Sequence, residues 1–111
     1  MNSEQFIADW LKAANAFDTS AFLDFWHTDA VLDDPSVGHV FKGHSGIRNY
    51  FEEYFIGYKT QTRLVKLETI SSDEVHLEVE FTGEFPGGRI GGMFDLTFRG
   101  GKIAATKADL L

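Results

Sequence analysis

Residues 33–43, DDPSVGHVFKG, place two adjacent carboxylates, a proline and a histidine within one short segment. Asp and Pro favour turns, so Asp33 and Asp34 can simply be solvated turn residues at the end of a strand. The alternative is that Asp34 points inward, because neighbouring side chains of an extended segment alternate between two faces. An inward carboxylate among aromatic residues would be desolvated and therefore a stronger base, as general-base catalysis requires.

His39 lies five residues after Asp34 and is a candidate acid partner for it, since histidine titrates near neutral pH. An exposed loop histidine is the simpler interpretation of the same position. The four histidines show neither His-x-His nor His-Glu-x-x-His spacing, so we predict no metal site. The chain also has no cysteine, which excludes disulfides, thiolate catalysis and iron–sulfur ligation.

Aromatic residues are abundant: eleven Phe, three Tyr and two Trp occur in 111 residues, a length typical of one domain spanning residues 1–111. Each aromatic side chain can bury about 150–250 Å². This abundance predicts either a bulky core or a cavity with aromatic walls. The residues that we assign to such a substrate-binding wall are Trp10, Trp26, Tyr50, Phe51 and Phe94.

The charge of the chain limits its partners. The formal net charge is −7 and no run of Lys or Arg occurs, so we predict that neither nucleic acid nor an anionic membrane is bound. The N-terminal residues contain no apolar run, and no segment approaches the roughly 18 apolar residues of a membrane span. We therefore expect a soluble, cytoplasmic protein.

The elements that position these residues change type after Gly57. Apolar residues at helical spacing predict helices over about residues 3–16 and 44–56, with Asn2 or Ser3 as the first cap. Asp18 or Thr19 can cap a shorter helix between them, which carries Phe22, Leu23, Phe25 and Trp26. AVLDD, residues 30–34, reads as a short strand that leads into the segment described above.

Beyond Gly57 the apolar period becomes two, which predicts antiparallel strands joined by tight turns. In EVHLEVEFTGEF, Val75 and Leu77 share one face, and His76 and Glu78 share the other. The order of elements predicts an α+β fold with helices on one face of a curved sheet. The pair Gly91-Gly92 within a strand predicts a bulge or sharp bend.

The stretch NAFDTSAFLDFWHTDAVLDDPSVGHVFKGHSGIRNYF resembles the N-terminal half of the ketosteroid isomerase and SnoaL-like polyketide cyclase group, within the nuclear-transport-factor-2-like superfamily. The resemblance implies a cone-shaped curved antiparallel sheet with three N-terminal helices packed on one face. It places Asp34 on the general base that moves a proton between carbons next to a carbonyl. It also implies a homodimer formed through the outer face of the sheet.

The oxyanion-binding residues of the isomerases do not carry over. Their tyrosine falls on Trp10, a supporting tyrosine falls on Phe51, and a third aromatic position is Trp26. The protonated Asp of the isomerases falls on Phe94, and Asp95 lies one residue away, on the other face of an unbroken strand. These departures argue against a true ketosteroid isomerase.

Three functions remain open at the level of sequence. The first is cofactor-free isomerisation, cyclisation or dehydration of a small hydrophobic carbonyl compound, with Asp34 as base and His39 or Asp95 as the acid. The second is a non-catalytic ligand-binding or dimerisation module of the same fold. The third is an epoxide hydrolase of the limonene type, in which Asp34, Arg89 and Asp95 would hold a water.

Overall fold

A computed structural model describes residues 2–111, which form three α-helices, one π-helical turn and six strands. Helix α1, Ser3–Asn15, begins at Asn2, whose side chain accepts a hydrogen bond from the Gln5 amide at 3.1 Å. Helix α2, Thr19–Leu23, begins in the same way at Asp18. Both caps satisfy free amides of a first turn, as the sequence predicts. Helix α2 ends before Phe25, because Trp26 already begins the first strand.

Helix α3, Gly43–Phe51, continues directly into the π-helical turn Glu52–Ile56. Together they cover the segment that the sequence predicts as one helix over residues 44–56. Among residues 2–111, no helix combines the length and the apolar character that crossing a membrane requires.

The six strands form one sheet in the order β2-β1-β6-β5-β4-β3. All neighbouring strands are antiparallel except β1 and β6, which are parallel. The α+β architecture and the curved sheet agree with the prediction. The bounds are Trp26–Asp34 for β1, His39–Lys42 for β2, Gln61–Thr69 for β3, Glu74–Thr82 for β4, Arg89–Arg99 for β5 and Lys102–Leu110 for β6.

The segment 33–43 is a hairpin rather than a loop. Strand β1 runs through Asp34, a tight turn follows, and β2 begins at His39, which is the register partner of Asp34. The Val37 amide donates to the Asp34 carbonyl at 3.2 Å and so closes the turn. The end of β1 is therefore held firmly, which fixes the position of the Asp34 side chain.

Of the bulge or sharp bend predicted at Gly91-Gly92, the bulge is absent, because the register between β4 and β5 is continuous from Glu74 to Thr82. The sharp bend stays a prediction. A Cβ atom at Gly92 would lie 2.2 Å from the ring of Phe81, which is its diagonal neighbour on β4. Gly92 therefore makes room for an aromatic ring. The register shifts instead between Leu64 and Lys66 in the β3–β4 pair, between Thr97 and Phe98 in the β5–β6 pair, and between Trp26 and Val31 in the β1–β6 pair.

Strand β4 separates the two faces of the sheet. Val75, Leu77 and Val79 are buried in the core that the helices cover, whereas their neighbours His76 and Glu78 lie on the opposite face. This alternation is the one that the period of two predicts. The core side of the sheet is thus the side that can form a ligand cavity.

Candidate functional site

A cavity of about 260 Å³ lies between the inner face of the sheet and the segment from α3 to Thr60. Seven of its fifteen lining residues are aromatic, and half of the other eight are apolar. Such a lining is typical of sites for small organic molecules. The aromatic residues are Tyr50, Tyr54, Phe55, Tyr58, Phe81, Phe85 and Phe94.

The cavity has a closed end and an open end. At the closed end Asp34, Tyr50 and Phe94 are at most 5 % exposed. At the other end Tyr58 and Leu110 are 39 % and 45 % exposed, so they form its mouth.

The Asp34 carboxylate is buried and accepts hydrogen bonds at both oxygens. The Tyr50 hydroxyl donates to Oδ2 at 2.9 Å, and the Ser36 amide and hydroxyl donate to Oδ1 at 3.0 Å and 2.5 Å. These donors provide hydrogen bonds to both oxygens of the carboxylate and offset the cost of its burial. The inward orientation of Asp34 agrees with the second interpretation of the sequence.

Tyr50 is the buried partner of this carboxylate. Burial raises the pKa of the Tyr50 phenol well above its usual value, and the negative charge of Asp34 and the hydrogen bond raise it further. The phenol therefore keeps its proton at neutral pH and acts as a donor. The pKa of Tyr54 is also raised, by desolvation first and then by the charges of Glu53, Tyr58 and Asp34.

Of the predicted wall residues, Tyr50 and Phe94 line the cavity and the other three do not. Trp10 and Trp26 are buried behind it, around a void of only about 10 Å³. Phe51 is fully buried, and its ring stacks on that of Phe22 at 4.1 Å. The two tryptophans and Phe51 therefore belong to the core that supports the cavity.

The two candidate acids lie outside the cavity. His39 is exposed, and its ring packs against Phe41 with a centroid distance of 4.7 Å. Asp95 lies on the outer face of the sheet, where its carboxylate is 2.7 Å from Nδ1 of His76. Because the β4–β5 register is unbroken, Asp95 must point away from Phe94. Contrary to the prediction, neither His39 nor Asp95 is placed to act as the acid partner of Asp34 in this cavity.

The set required for an epoxide hydrolase is not assembled. Arg89 is exposed, and its nearest carboxylate is that of Glu80 at 3.9 Å. Asp34, Arg89 and Asp95 thus lie in three separate environments. Within residues 2–111, no group of three or more His, Asp or Glu side chains is arranged to hold a metal ion.

Several lining residues escaped the sequence analysis, above all Tyr54, Tyr58, Phe81 and Phe85. The sequence contains a signal for Tyr54 and Tyr58. Together with Tyr50 they recur every four residues, and residues at this spacing share one side of a helical segment. Phe81 shares the inner face of β4 with Val79. Phe85 follows β4 in a turn, where no periodicity indicates its direction.

The sequence and the fold agree on a family. The family of SnoaL-like domains matches residues 7–106. This chain belongs to that family. No curated protein sequence matches the chain.

Solved structures share the fold of this SnoaL-like protein at low identity. A candidate polyketide cyclase from Sinorhizobium meliloti is 20 % identical with a TM-score of 0.83, covering 94 % of this chain and 93 % of its own. A protein with a ketosteroid-isomerase-like fold from Catenulispora acidiphila, in complex with trimethylamine, is 16 % identical with a TM-score of 0.81, covering 93 % and 82 %. SalBIII, an epoxide hydrolase/cyclase-like enzyme with a role in pyran ring formation in salinomycin, is 18 % identical with a TM-score of 0.83, covering 100 % and 95 %.

Proposed function

We propose that this SnoaL-like protein is a cofactor-free enzyme that moves a proton next to a carbonyl group of a small hydrophobic molecule, with Asp34 as the general base. The supporting observation is a buried carboxylate on the wall of an aromatic cavity. General bases in such surroundings contribute about 10²–10⁴ in rate. Likeness to a polyketide cyclase and to an epoxide hydrolase/cyclase-like enzyme is compatible with this chemistry.

In the proposed reaction, Asp34 takes a proton from the carbon next to the carbonyl, and the electron pair moves to the carbonyl oxygen. Tyr50 donates a hydrogen bond to this base at 2.9 Å, and its raised pKa keeps the phenol protonated for this step. It can hold the carboxylate in place or donate to the enolate oxygen. If Asp34 returns the proton to another carbon, the result is isomerisation. If a hydroxyl on the next carbon leaves and takes this proton, water is lost and the result is dehydration. If the enolate carbon attacks a second carbonyl and the new alkoxide takes the proton, the result is cyclisation.

Exchange of carbon-bound protons tests the proposal without the natural substrate. β-Tetralone has an aromatic body and acidic protons next to its carbonyl, so we expect the protein to accelerate its deuterium exchange in D₂O, followed by proton magnetic resonance. Asp34→Asn should reduce the accelerated rate by about 10²-fold or more. Asp33→Asn, at an exposed position one residue away, should not change it.

Folding of the Asp34→Asn variant is the necessary control. The Asn oxygen can accept from the Ser36 amide, and its NH₂ group can donate to the Tyr50 hydroxyl. We therefore expect its thermal unfolding to stay close to that of the unchanged protein. Equal exchange rates for the unchanged protein and the Asp34→Asn variant would contradict catalysis by this carboxylate.

The alternative is a non-catalytic ligand-binding module. The observation that favours it is that both oxygens of Asp34 already accept hydrogen bonds, which tie the end of β1 to α3. In that case β-tetralone would shift the resonances of Tyr50 and Phe94 without any gain in exchange rate. The two candidate functions are thus separated by the same experiment.

A further inference from the structure

Three residues with large apolar side chains belong both to the cavity and to the surface of the protein. Tyr58, Ile90 and Leu110 line the cavity, and they are 39 %, 37 % and 45 % exposed. Single exposed apolar side chains scattered over a surface need no explanation, whereas a group of them that borders a cavity can mark a ligand-binding groove. We call these three residues the apolar rim.

The strand register places two of the rim residues on the inner face of the sheet. Ile90 is the register partner of Phe81 on β4, and Leu110 is the partner of Gly92, over which the Phe81 ring lies. Residues that are directly opposite each other on neighbouring strands share one face of a sheet. Ile90 and Leu110 therefore lie on the face of Phe81, which itself lines the cavity.

Three tyrosine rings connect the buried carboxylate of Asp34 with the apolar rim. Tyr50 donates a hydrogen bond to Asp34 at 2.9 Å, and the ring centroids of Tyr50 and Tyr54 are 5.6 Å apart. The rings of Tyr54 and Tyr58 follow at 6.5 Å. Exposure rises along this row, since Tyr50 is buried, Tyr54 is half-buried and Tyr58 is exposed. One wall of the cavity thus runs from Asp34 to the surface.

The two ends of this wall differ in polarity. At one end the side chains of Asp34, Ser36 and Tyr50 make hydrogen bonds with one another. At the other end the rim presents the hydrocarbon side chains of Ile90 and Leu110. An anionic ligand would find no counter-ion, because none of the lining residues within 2–111 is a Lys, Arg or His. The ligand that fits both ends has an uncharged polar group near Asp34 and an apolar part at the rim.

We infer that the apolar rim binds a hydrocarbon tail of the ligand, so that the substrate class is an uncharged carbonyl compound with an extended hydrocarbon tail. The inference rests on the proposed function for the reaction at the carbonyl group, whereas binding at the rim requires only that the cavity is the ligand site. The tail lies along Tyr54 and Tyr58 and ends over Ile90 and Leu110. Its contact with the rim removes apolar surface of both molecules from water, which is the source of the affinity.

A series of methyl ketones tests the binding of the tail. The probes 2-pentanone, 2-octanone and 2-undecanone carry the same carbonyl group and differ only in the length of the hydrocarbon chain. Each is titrated into the intact protein below its solubility limit, while amide resonances of the cavity residues are recorded. We expect the affinity to rise about 2- to 4-fold with each added CH₂ group, as for partial to full burial of that group.

Two successive leucines provide the test variant and its matched control. Leu110 belongs to the rim, whereas Leu111 is 68 % exposed, lies beside Gly91 and is not one of the lining residues of the cavity. Leu110→Ser should weaken the binding of 2-undecanone about 3- to 10-fold and leave the affinity for 2-pentanone unchanged. Leu111→Ser should change neither affinity.

An affinity that does not rise with chain length, or a rise that Leu110→Ser does not reduce, would overturn the inference. A lower mass of Leu110→Ser in sedimentation velocity would also overturn it, because a second copy of the chain would then cover the rim. Exchange of β-tetralone together with equal affinities across the ketone series would remove this inference alone. Binding that depends on chain length, without exchange of β-tetralone, would remove only the proposed catalysis.

Discussion

At the scale of single residues, the hydrogen bond from Tyr50 to Asp34 joins α3 to the end of β1 within a buried site. Tyr50→Phe removes the donor and leaves one carboxylate oxygen without a partner. We expect the free energy of unfolding in urea to fall by about 1–3 kcal/mol, the usual cost of an unsatisfied buried polar group. Removal of a tyrosine hydroxyl that makes no hydrogen bond should lower the free energy of unfolding far less.

Tyr54→Phe provides that comparison, because the Tyr54 hydroxyl donates no hydrogen bond to any of residues 2–111. Its unfolding free energy should stay within about 0.5 kcal/mol of the unchanged protein, as is usual for substitutions that break no specific interaction. If both variants lose the same stability, the Tyr50–Asp34 hydrogen bond contributes nothing beyond the loss of an oxygen atom.

The sequence identifies the buried carboxylate of Asp34, but it does not show which of the aromatic residues line the cavity and which lie in the core behind it. Alternation along a strand indicates the face on which a side chain lies, and it correctly separates Asp34 from Asp33 and Phe94 from Asp95. It does not indicate whether an inward ring reaches the cavity or the core behind it. That distinction, which excludes Trp10 from the cavity, depends on the packing of helices against a curved sheet.

At the scale of elements, the pairing of β4 with β5 places the Phe81 ring directly over Gly92. In Gly92→Ala the new methyl group would overlap this ring, which packs edge-on against Phe55 and Phe94. The ring would have to move into the cavity or the core. We expect a loss of about 1–3 kcal/mol in unfolding free energy, as for other overpacked sites.

Gly91→Ala is the matched control for this substitution. A Cβ atom at Gly91 would meet only the Leu111 side chain, at 3.4 Å. Alanine in place of glycine also reduces the conformational freedom of the unfolded chain, so this variant should be as stable as the unchanged protein or slightly more so. The free energy of unfolding of each variant is measured by chemical denaturation. If both variants lose the same amount, the Phe81 ring does not require a glycine at residue 92.

The pairing of elements was only partly accessible from sequence. Strands β3 to β6 follow from the period of two and the turn residues between them, because they pair in chain order. Strand β2, His39–Lys42, is too short for its period to be recognised. The parallel pairing of β1 with β6 joins segments about 70 residues apart, such as Leu32 with Thr106, and no local pattern specifies it.

The outer face of β4 and β5 carries a titratable cluster. The hydrogen bond from His76 to Asp95 and then that to Glu78 raise the pKa of His76 above its ordinary value of about 6.5. Glu68 is the register partner of His76 on β3, and Lys107 is that of Asp95 on β6. The protonated imidazole is therefore favoured by the folded state.

The sign of the pH dependence follows from linkage. The contribution of His76 is complete below the pKa of the unfolded chain and is lost as pH rises through the higher folded pKa. We expect the stability difference between the unchanged protein and His76→Gln to be largest near about pH 6 and to shrink toward about pH 9. Melting curves across this range measure it. A difference that stays constant with pH would contradict a raised pKa.

At the scale of the whole molecule, the helices cover one face of the sheet and leave the other to polar pairs. Arg63 and Arg89 approach Glu80 at 3.4 Å and 3.9 Å, so that arginines of the neighbouring strands balance the charge of this glutamate. Exposed pairs of this kind contribute little to stability. Apolar surface is also present, since Val65 lies at the register shift of β3 and is 57 % exposed.

We expect this outer side of the sheet to form a twofold homodimer, in which the same surface of each chain contacts the other and covers Val65. Sedimentation velocity at micromolar concentration should give twice the chain mass of 12.5 kDa. Val65→Asp should shift the protein toward monomer, because an unpaired carboxylate would be buried in the contact. Val40→Asp, at a valine of the edge strand β2 that is 42 % exposed, should remain dimeric. If the unchanged protein is a monomer, the dimer is excluded. If Val65→Asp does not weaken the dimer, its interface lies elsewhere.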